Sequence, residues 1–360
     1  MDVLKALGSQ SAGRYAGKPE SYGGSRIFHE IWDRTEELAR KIFECDYASA
    51  LPVSGHVAGM MAIDALTKSG DTIATISADA GGYKGYNQDH IPSTIQRSVR
   101  YLPFDYKLWN LDLSNSLDLI ESQKPDLVIL GATVFLFPHP VRKIAECVHT
   151  YGGKVLYDGS HVLGLLAGGR FQDPVKEGAD LLIGSTHKTL FGPQGGLILS
   201  NDDGIFSRIE ERCLYTFVDN FHLNRIAALG VALEEAKQHG RNYAKKVIQN
   251  SKSLATRLNH LGIPVEAKEG GFTESHQIFL NFRAKGVEVR DTLETNRIIS
   301  DSRVRLGTNE ITRRGMGSKQ MKLISSLISD TLMRPNDPKI RSAVIELVSL
   351  HRKILFTLDQ

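Results

Sequence analysis

Residues 180–200 read DLLIGSTHKTLFGPQGGLILS, and this stretch decides the fold. Two short apolar runs, DLLIGST (180–186) and GGLILS (195–200), flank a segment that contains Lys188 and a Gly-Pro pair. Runs of this length, bounded by glycine and proline, indicate buried strands joined by turns. Lys188 therefore follows the end of a strand and extends from a turn, where its amine can act as a nucleophile.

Similar apolar runs occur upstream and alternate with helical patterns. Most of them are too uniformly apolar for an antiparallel sheet with one face in water, so we expect a mainly parallel sheet. This alternation is typical of an α/β fold with helices on both faces of the sheet. The upstream runs are YASALPV (47–53), DTIATIS (71–77), DLVILGA (126–132) and KVLYDGS (154–160).

The last third of the chain has a different character. A long helical pattern from about Phe221 to Gly262 predicts two helices, or one bent helix, linking two domains. The sequence after it mixes helices with short strands, which indicates a small α+β domain. We therefore expect an N-terminal segment and large domain over residues 1–245 and a small domain over residues 246–360. The strand runs of the small domain are HQIFLNF (276–282) and RVRLGTN (303–309).

The charge composition favours small-molecule partners. The chain has 44 Lys and Arg against 41 Asp and Glu, and its net charge is +3. Because the basic residues are scattered, we expect no binding of nucleic acid and none of an anionic membrane. Hydrophobic residues make up 41% of the chain and charged residues 24%, which is ordinary for a globular protein.

The cysteines and the first residues indicate the cellular compartment. Cys45, Cys147 and Cys213 lie far apart and form no CxxC motif, which argues against a disulfide scaffold or a zinc site. The first residues lack the apolar stretch of a signal peptide, and no run reaches the roughly 18 apolar residues that span a bilayer. We therefore expect a cytoplasmic protein without a metal site.

A carboxylate upstream of Lys188 occupies a matching position. Asp158 ends the run KVLYD and is followed by GSHVLG. The carboxyl end of a parallel strand faces the crevice where α/β proteins bind ligands. Lys188 can form a Schiff base with an aldehyde, and Asp158 can hold a pyridine nitrogen protonated. Together they provide what a pyridoxal phosphate site needs.

An anion site is the third requirement of such a cofactor. Ser54-Gly55-His56 lies between the run YASALPV and a helical pattern. The first N–H groups of a helix have no partner within the helix, so they can hold a phosphate together with the serine hydroxyl. Lysine, aspartate and anion site thus occur in the expected order.

Three motifs make the chain resemble the serine hydroxymethyltransferase family. They are THKTLxGPxGG around Lys188, DGSHVLGLLAGG around Asp158, and RLGTNEITRRG over residues 305–315. The resemblance covers essentially the whole chain. It implies an α/β protein of the type I PLP-dependent transferase fold, the aspartate aminotransferase class, where PLP is pyridoxal 5'-phosphate. That fold has a mainly parallel sheet in the large domain and a small α+β C-terminal domain. A homodimer with its site at the interface is implied as well.

The resemblance also implies roles for individual residues. Lys188 is the Schiff-base lysine, Asp158 binds the pyridine nitrogen, and His161 lies beside the ring as the third catalytic residue. Arg314 clamps the substrate carboxylate, since a guanidinium binds this planar group bidentately. Tyr15 and Tyr22 reach the substrate site of a neighbouring subunit. The implied cofactor-binding set is Ser54, Gly55, His56, Tyr83, Asp158, His161, Ser185, His187 and Lys188.

Two of the departures from the family pattern concern groups that would act in the reaction. The family's catalytic glutamate lies in a Tyr-Ala-Glu-Gly stretch, whereas this chain has Tyr15-Ala16-Gly17. That acid/base group is missing unless the nearby Glu20 replaces it. The family's stacking histidine after two glycines is Tyr83 here, after Gly81-Gly82, so we expect stacking without a cationic role.

The resemblance implies Cα–Cβ cleavage of serine or another β-hydroxy amino acid. The one-carbon unit would pass to tetrahydrofolate, which makes folate a candidate co-substrate. A folate-independent enzyme on the same scaffold, such as a threonine-type aldolase, transaldolase, racemase or aminotransferase, would explain the missing glutamate. A non-catalytic binding protein is the weaker alternative, because it has no reason to retain Lys188, Asp158 and Arg314 together.

Overall fold

Strands and helices alternate through most of the molecule. The computed structural model describes residues 2–17 and 22–358. The strands in these ranges form one seven-stranded sheet and two two-stranded pairs. They are β1 (Tyr47–Ser49), β2 (Thr72–Thr75), β3 (Ser98–Tyr101), β4 (Phe104–Asp105), β5 (Asn110–Leu111), β6 (Leu127–Leu130), β7 (Lys154–Asp158), β8 (Leu181–Ser185), β9 (Gly196–Ser200), β10 (Gln277–Phe279) and β11 (Arg305–Gly307).

The α-helices range from one turn to a very long helix near the middle of the chain. Within the described ranges, none of them combines the length and the apolar content that crossing a bilayer requires. They are α1 (Asp2–Leu7), α2 (Arg26–Phe43), α3 (Gly55–Leu66), α4 (Ile91–Thr94), α5 (Leu113–Gln123), α6 (Val141–His149), α7 (Leu163–Ala167), α8 (Asp203–Cys213), α9 (Leu223–His260), α10 (Gly286–Thr295), α11 (Asn309–Arg313), α12 (Ser318–Met333) and α13 (Pro338–Ser349).

The large sheet has the order β1-β9-β8-β7-β6-β2-β3. Its strands are parallel except for β9, which runs antiparallel to both β8 and β1. The four residues of β6 and the five of β8 are all buried, as expected of strands covered on both faces. The mainly parallel sheet predicted from the apolar runs is therefore confirmed.

One strand of this sheet was not predicted from the sequence. In β3, at the sheet edge, only Val99 is buried, while Arg100 and Tyr101 are exposed. An edge strand with a single buried side chain carries no apolar run, so its periodicity gives no signal.

The register of β7 and β8 brings two predicted site residues together. These strands are parallel, and Asp158 lies opposite Ile183. Asp158 is the last residue of β7 and Ser185 the last residue of β8. Both side chains therefore lie at the same edge of the sheet, where α/β proteins bind ligands.

Helix α9 is one continuous helix of 38 residues, where the sequence predicted two helices or one bent helix. Its first half packs into the core beneath the large sheet, through Leu229 and Leu233. Its second half packs into a separate core, through Leu254 and Leu258, together with residues of β10, β11 and α12. We propose that the two domains meet within this helix, near residue 245.

A buried ion pair joins α11 to α9. The Arg313 guanidinium donates to the Glu235 carboxylate, whose side chain is fully buried. The same guanidinium lies 3.9 Å from the centre of the Phe191 ring. Burial raises the pKa of Glu235, and the positive charge of Arg313 opposes this rise. Burial removes both charges from water, so each depends on the other for stabilisation.

Replacing Arg313 by methionine should therefore destabilise the fold. We expect Arg313→Met to lower the free energy of unfolding by about 3–5 kcal/mol, because it leaves the Glu235 carboxylate buried without a counter-ion. Chemical denaturation followed by circular dichroism measures this. Arg314→Met is the matched control, since Arg314 pairs with the exposed Glu310 and should matter far less. Equal losses in the two variants would contradict the assignment.

Candidate active site

A cavity of about 260 Å³ opens at the carboxyl edge of the large sheet. Its wall combines an amine, a guanidinium, two imidazoles and one carboxylate with small hydroxyl side chains. The residues that line it are Gly55, His56, Tyr83, Ala132, Thr133, Asp158, Ser160, His161, Ser185, Lys188 and Arg305. Most of the residues that the sequence predicted for the site thus share one cavity.

Lys188 presents its amine to this cavity from the turn after β8. Its Nζ donates to Ser185 Oγ at 3.0 Å. Burial lowers the pKa of Lys188; the charge of Asp158 acts in the opposite direction, and Arg305 adds to the lowering. A lowered pKa makes the neutral amine more available, which suits a nucleophile that attacks a carbonyl carbon.

The Asp158 carboxylate is buried and held from two sides. The Ser160 N–H donates to Oδ1 at 2.9 Å, and the Tyr86 hydroxyl donates to Oδ2 at 2.8 Å. A carboxylate held in this way has a defined orientation. Tyr86 was not predicted from the sequence, because a tyrosine in GGYKGY carries no signal of its contact with a residue 72 positions away.

The N-terminus of α3 approaches the ends of β7 and β8 closely. A side chain at Gly55 would place its Cβ 2.2 Å from Ser185 Oγ and 3.1 Å from Ser160 Oγ, so only glycine fits. Ser54 caps the helix by accepting a hydrogen bond from the Val57 N–H at 3.1 Å. The twelve-residue helix therefore begins at the cavity wall, and its first N–H groups suit an anion.

Tyr83 and His56 form a hydrogen-bonded pair on the cavity wall. His56 Nδ1 lies 2.9 Å from Tyr83 Oη. The Tyr83 ring also meets the edge of Tyr86, with 5.1 Å between the ring centres. Burial raises the pKa of Tyr83, and the charge of Asp158 adds to this, so the phenol keeps its proton. Whether the ring stacks on a cofactor stays a prediction.

His161 is held by Gln277, which the sequence did not single out. Gln277 Nε2 lies 2.9 Å from His161 Nδ1, and Gln277 Oε1 accepts from the Phe135 N–H at 2.7 Å. This second bond fixes the orientation of the amide, so Nε2 must donate and Nδ1 must accept. Burial lowers the pKa of His161, and Lys188 and Arg305 contribute. The imidazole is therefore neutral, with its proton on Nε2.

Arg305 is the guanidinium that lines the cavity. It donates to the Thr133 carbonyl oxygen and pairs with Asp301 at 3.2 Å. Burial lowers its pKa. Arg305 begins the motif RLGTNEITRRG, in which the resemblance implied Arg314 for the substrate carboxylate. Its place in the strand run RVRLGTN is the sequence signal that could have singled it out.

Arg314 and His187 line a different cavity of about 290 Å³, which also reaches Lys188. Arg314 pairs with Glu310 one turn earlier, at 3.0 Å. His187 is exposed, and burial of part of its ring together with Lys188 lowers its pKa. The structure thus does not bring these two residues into the cavity that holds Asp158.

The predicted substrate residues near the N-terminus lie at the surface. Tyr15 and Tyr22 are 58% and 59% exposed, and their ring centres are 6.0 Å apart. The Gly17 carbonyl oxygen lies 3.0 Å from His29 Nε2. Glu20, the proposed substitute for the missing glutamate, lies outside the described residues.

These groups fit pyridoxal phosphate. The amine of Lys188 suits the aldehyde, the oriented Asp158 carboxylate suits a protonated ring nitrogen, and the start of α3 suits the phosphate. Within the described ranges, no cluster of three or more His, Cys, Asp or Glu side chains is arranged for a metal ion. Burial raises the pKa of Cys45 and Cys213 to about 12, so these thiols are poor nucleophiles.

Known proteins resemble this chain over nearly its whole length. The sequence profile of the serine hydroxymethyltransferase family matches residues 1–328. The serine hydroxymethyltransferase of Methanopyrus kandleri is 40% identical over 366 residues, which cover 96% of this chain and 85% of that protein. The serine hydroxymethyltransferase of Methanothermobacter thermautotrophicus is 36% identical over 377 residues, covering 99% of this chain and 88% of that protein.

A solved structure resembles the fold. The crystal structure of L-threonine transaldolase from Pseudomonas fluorescens matches with a TM-score of 0.92 at 23% identity, covering 99% of this chain and 87% of that one. The fold and the family resemblance predicted from the sequence are therefore confirmed.

The contact between Gln277 and His161 leads to a prediction about the pKa of the imidazole. In Gln277→Glu, a carboxylate would face Nδ1 and favour the protonated ring, so the pKa of His161 should rise toward the ordinary value of about 6.5. Nitrogen NMR of ¹⁵N-histidine-labelled protein measures it, with His161→Asn to assign the signal. His139, whose pKa burial lowers to about 3, is an internal control. An unchanged His161 signal would show that Gln277 does not control the tautomer.

Proposed function

The chain belongs to the serine hydroxymethyltransferase family and is a PLP-dependent enzyme of hydroxymethyltransferase type, and from this premise we propose that its 260 Å³ cavity cleaves the Cα–Cβ bond of a β-hydroxy amino acid. One observation carries this proposal. Lys188, Asp158 and the N-terminus of α3 converge on one cavity in the arrangement that the cofactor needs.

We propose that the cavity wall holds the cofactor by its functional groups. Lys188 Nζ would hold the aldehyde carbon, Asp158 the ring nitrogen, and the N–H groups and hydroxyl of Ser54-Gly55-His56 the phosphate. Ser185, which accepts from Lys188 Nζ, would orient the amine. Tyr83 would cover one face of the ring. His187 faces the neighbouring cavity, so a direct contact with the cofactor requires its side chain to turn.

Pyridoxal phosphate, when bound, supplies a ring that accepts the electron pair of a bond broken at the substrate's Cα. Asp158 would keep the ring nitrogen protonated. Lys188 Nζ, once released, would take and return the proton at Cα. The neutral His161 would donate its Nε2 proton to an oxygen acceptor beside the ring, because Gln277 occupies Nδ1.

The substrate carboxylate requires a cation on the cavity wall. Among the described residues that line the 260 Å³ cavity, Arg305 is the one arginine. We propose that Arg305 binds the substrate carboxylate, with Asp301 and the Thr133 carbonyl oxygen holding the guanidinium in place. In this proposal Arg305 takes the role that the resemblance implied for Arg314, which lines the neighbouring cavity.

The fate of the one-carbon unit depends on acid/base groups. Among the described residues that line the cavity, Asp158 is the only carboxylate, and it is occupied by two donors. Tetrahydrofolate remains the proposed acceptor for serine cleavage. The lack of a second carboxylate favours a second candidate, a folate-independent aldol reaction of the threonine aldolase or transaldolase type.

We also propose that the chain works as a homodimer in the cytoplasm. Tyr15 and Tyr22 form an exposed aromatic pair, which suits burial against a second copy. Cys45, Cys147 and Cys213 are unpaired thiols, as is usual in a reducing compartment.

A panel of three assays on one preparation tests the reaction. We expect α-deuterium exchange on glycine and cleavage of threonine, because Lys188 serves both. Serine cleavage with tetrahydrofolate should be slower than threonine cleavage, since a missing general acid or base typically costs about 10²–10⁴-fold. The readouts are deuterium loss by NMR, acetaldehyde release and methylenetetrahydrofolate formation.

Lys188→Ala is the control for this panel. It should abolish all three reactions and prevent borohydride from fixing the cofactor to the protein. Borohydride trapping on another lysine would contradict the site assignment. Folate-dependent serine cleavage faster than threonine cleavage would exclude the folate-independent candidate, and transamination alone would exclude both aldol reactions.

Variants of Arg305 and Arg314 distinguish which of the two guanidinium groups binds the substrate carboxylate. If Arg305 holds the carboxylate, Arg305→Lys should raise the KM for the amino acid by about 10–100-fold, because lysine cannot bind it bidentately. Steady-state kinetics of threonine cleavage measures this. The increase should exceed that of Arg314→Lys, and the reverse order would return the carboxylate to Arg314.

A further inference from the structure

Tyr86 is the side chain that meets Asp158 from within the protein core. We propose that Tyr86 is a positioning residue, which acts on the cofactor's ring nitrogen only through Asp158. The inference rests on the proposed function of Asp158 and extends it to a residue outside the cavity wall.

The hydrogen bonds of Asp158 define the orientation of its carboxylate. The Tyr86 hydroxyl donates to Oδ2 at 2.8 Å, and the Ser160 N–H donates to Oδ1 at 2.9 Å. One donor is a side chain and the other is backbone, and each occupies a different oxygen. The carboxylate plane is therefore fixed, and each oxygen keeps lone-pair capacity for a ligand in the cavity.

The burial of Tyr86 shows that its hydroxyl is not there for packing alone. The side chain is 1% exposed and belongs to a core of apolar residues that includes Met61 and Ile129. A phenylalanine would fill this space without bringing a polar atom into it. A buried hydroxyl is costly unless it is hydrogen bonded, so the bond to Asp158 is what makes tyrosine suitable here.

Helix α3 leaves room for this hydroxyl. A Cβ atom at Gly59 would lie 2.7 Å from Tyr86 Oη, closer than a Cβ normally approaches another atom. Glycine within a helix is unfavourable compared with alanine, so its presence here has a local structural reason. The same helix that begins at the phosphate end of the cavity thus also accommodates the Asp158 partner.

Tyr86 stays a donor throughout the neutral pH range. Burial raises its pKa well above the ordinary value, and the charge of Asp158 and the hydrogen bond to it add to the rise. A phenol that cannot lose its proton donates to the carboxylate continuously. Hydrogen bonds to a carboxylate favour its ionised form, which is the form that pairs with a protonated ring nitrogen.

The test separates this role from a general contribution to folding by using two cofactors. One is pyridoxal phosphate, and the other is 1-deazapyridoxal phosphate, in which a C–H replaces the ring nitrogen. Each is titrated into the full-length protein freed of cofactor, and the dissociation constants are measured by tryptophan fluorescence. The preference is the ratio of the constant for the deaza compound to that for pyridoxal phosphate.

We expect Tyr86→Phe to reduce this preference about tenfold, the effect of one hydrogen bond to a charged group. Tyr157→Phe is the matched control, because Tyr157 is equally buried, precedes Asp158 directly, and donates to Gln172 at 2.9 Å instead. Its preference should equal that of the wild type. Gly59→Ala should lower the preference in the same direction as Tyr86→Phe, by displacing the hydroxyl.

Two results would overturn the inference. An equal loss of affinity for both cofactors in Tyr86→Phe would give Tyr86 a structural role only, and wild-type affinity for both would give it no role. Asp158→Asn separates this failure from failure of the proposed function. If that variant keeps the wild-type preference, Asp158 does not bind the ring nitrogen, and both proposals fall. If it loses the preference while Tyr86→Phe keeps it, only the proposal for Tyr86 fails.

Discussion

The close approach of helix α3 to the ends of β7 and β8 is the constraint on which the cavity depends. At Gly55 the helix backbone lies against Ser185 and Ser160, with no room for a side chain. This contact brings the positive end of a helix beside Lys188 and Asp158, which come from two different strand ends. If the helix were moved outward by a larger residue, the N–H groups at its start would separate from the amine and the carboxylate.

The electrostatic properties of the cavity depend on the same close packing of its wall. Lys188, Arg305 and His161 share a buried space with one carboxylate, and burial lowers the pKa of all three groups. The charge of Arg305 also lowers the pKa of Lys188, and Lys188 and Arg305 both lower that of His161. An enclosure of this kind is costly while it holds only the protein's own charges, and it becomes favourable when an anionic ligand enters. The cavity is therefore suited to a phosphate and a carboxylate together.

The sequence predicted the parts of the site that local patterns encode. Lys188, Asp158 and Gly55 follow apolar runs or begin helices, so strand and helix periodicity identifies them. Tyr86 and Gln277 could not be predicted, because their roles arise from contacts 72 and 116 positions away along the chain. For the substrate carboxylate the resemblance implied Arg314, and Arg305 becomes a candidate only in the structure, where it lines the cavity. Both lie in one motif, and only the tertiary structure shows that they line different cavities.

The chain that follows helix α9 reaches the cavity through the two-stranded pair of β10 and β11. Gln277 begins β10, Arg305 begins β11, and the two strands pair in antiparallel register. Both side chains donate to the same carbonyl oxygen, that of Thr133, in the segment that follows β6. Thr133 and Asp301 thus fix the Arg305 guanidinium, and its remaining N–H donors are left for a ligand. Because Thr133 also accepts from Gln277, which holds His161, the Arg305 guanidinium and the His161 imidazole are both positioned against this one backbone segment.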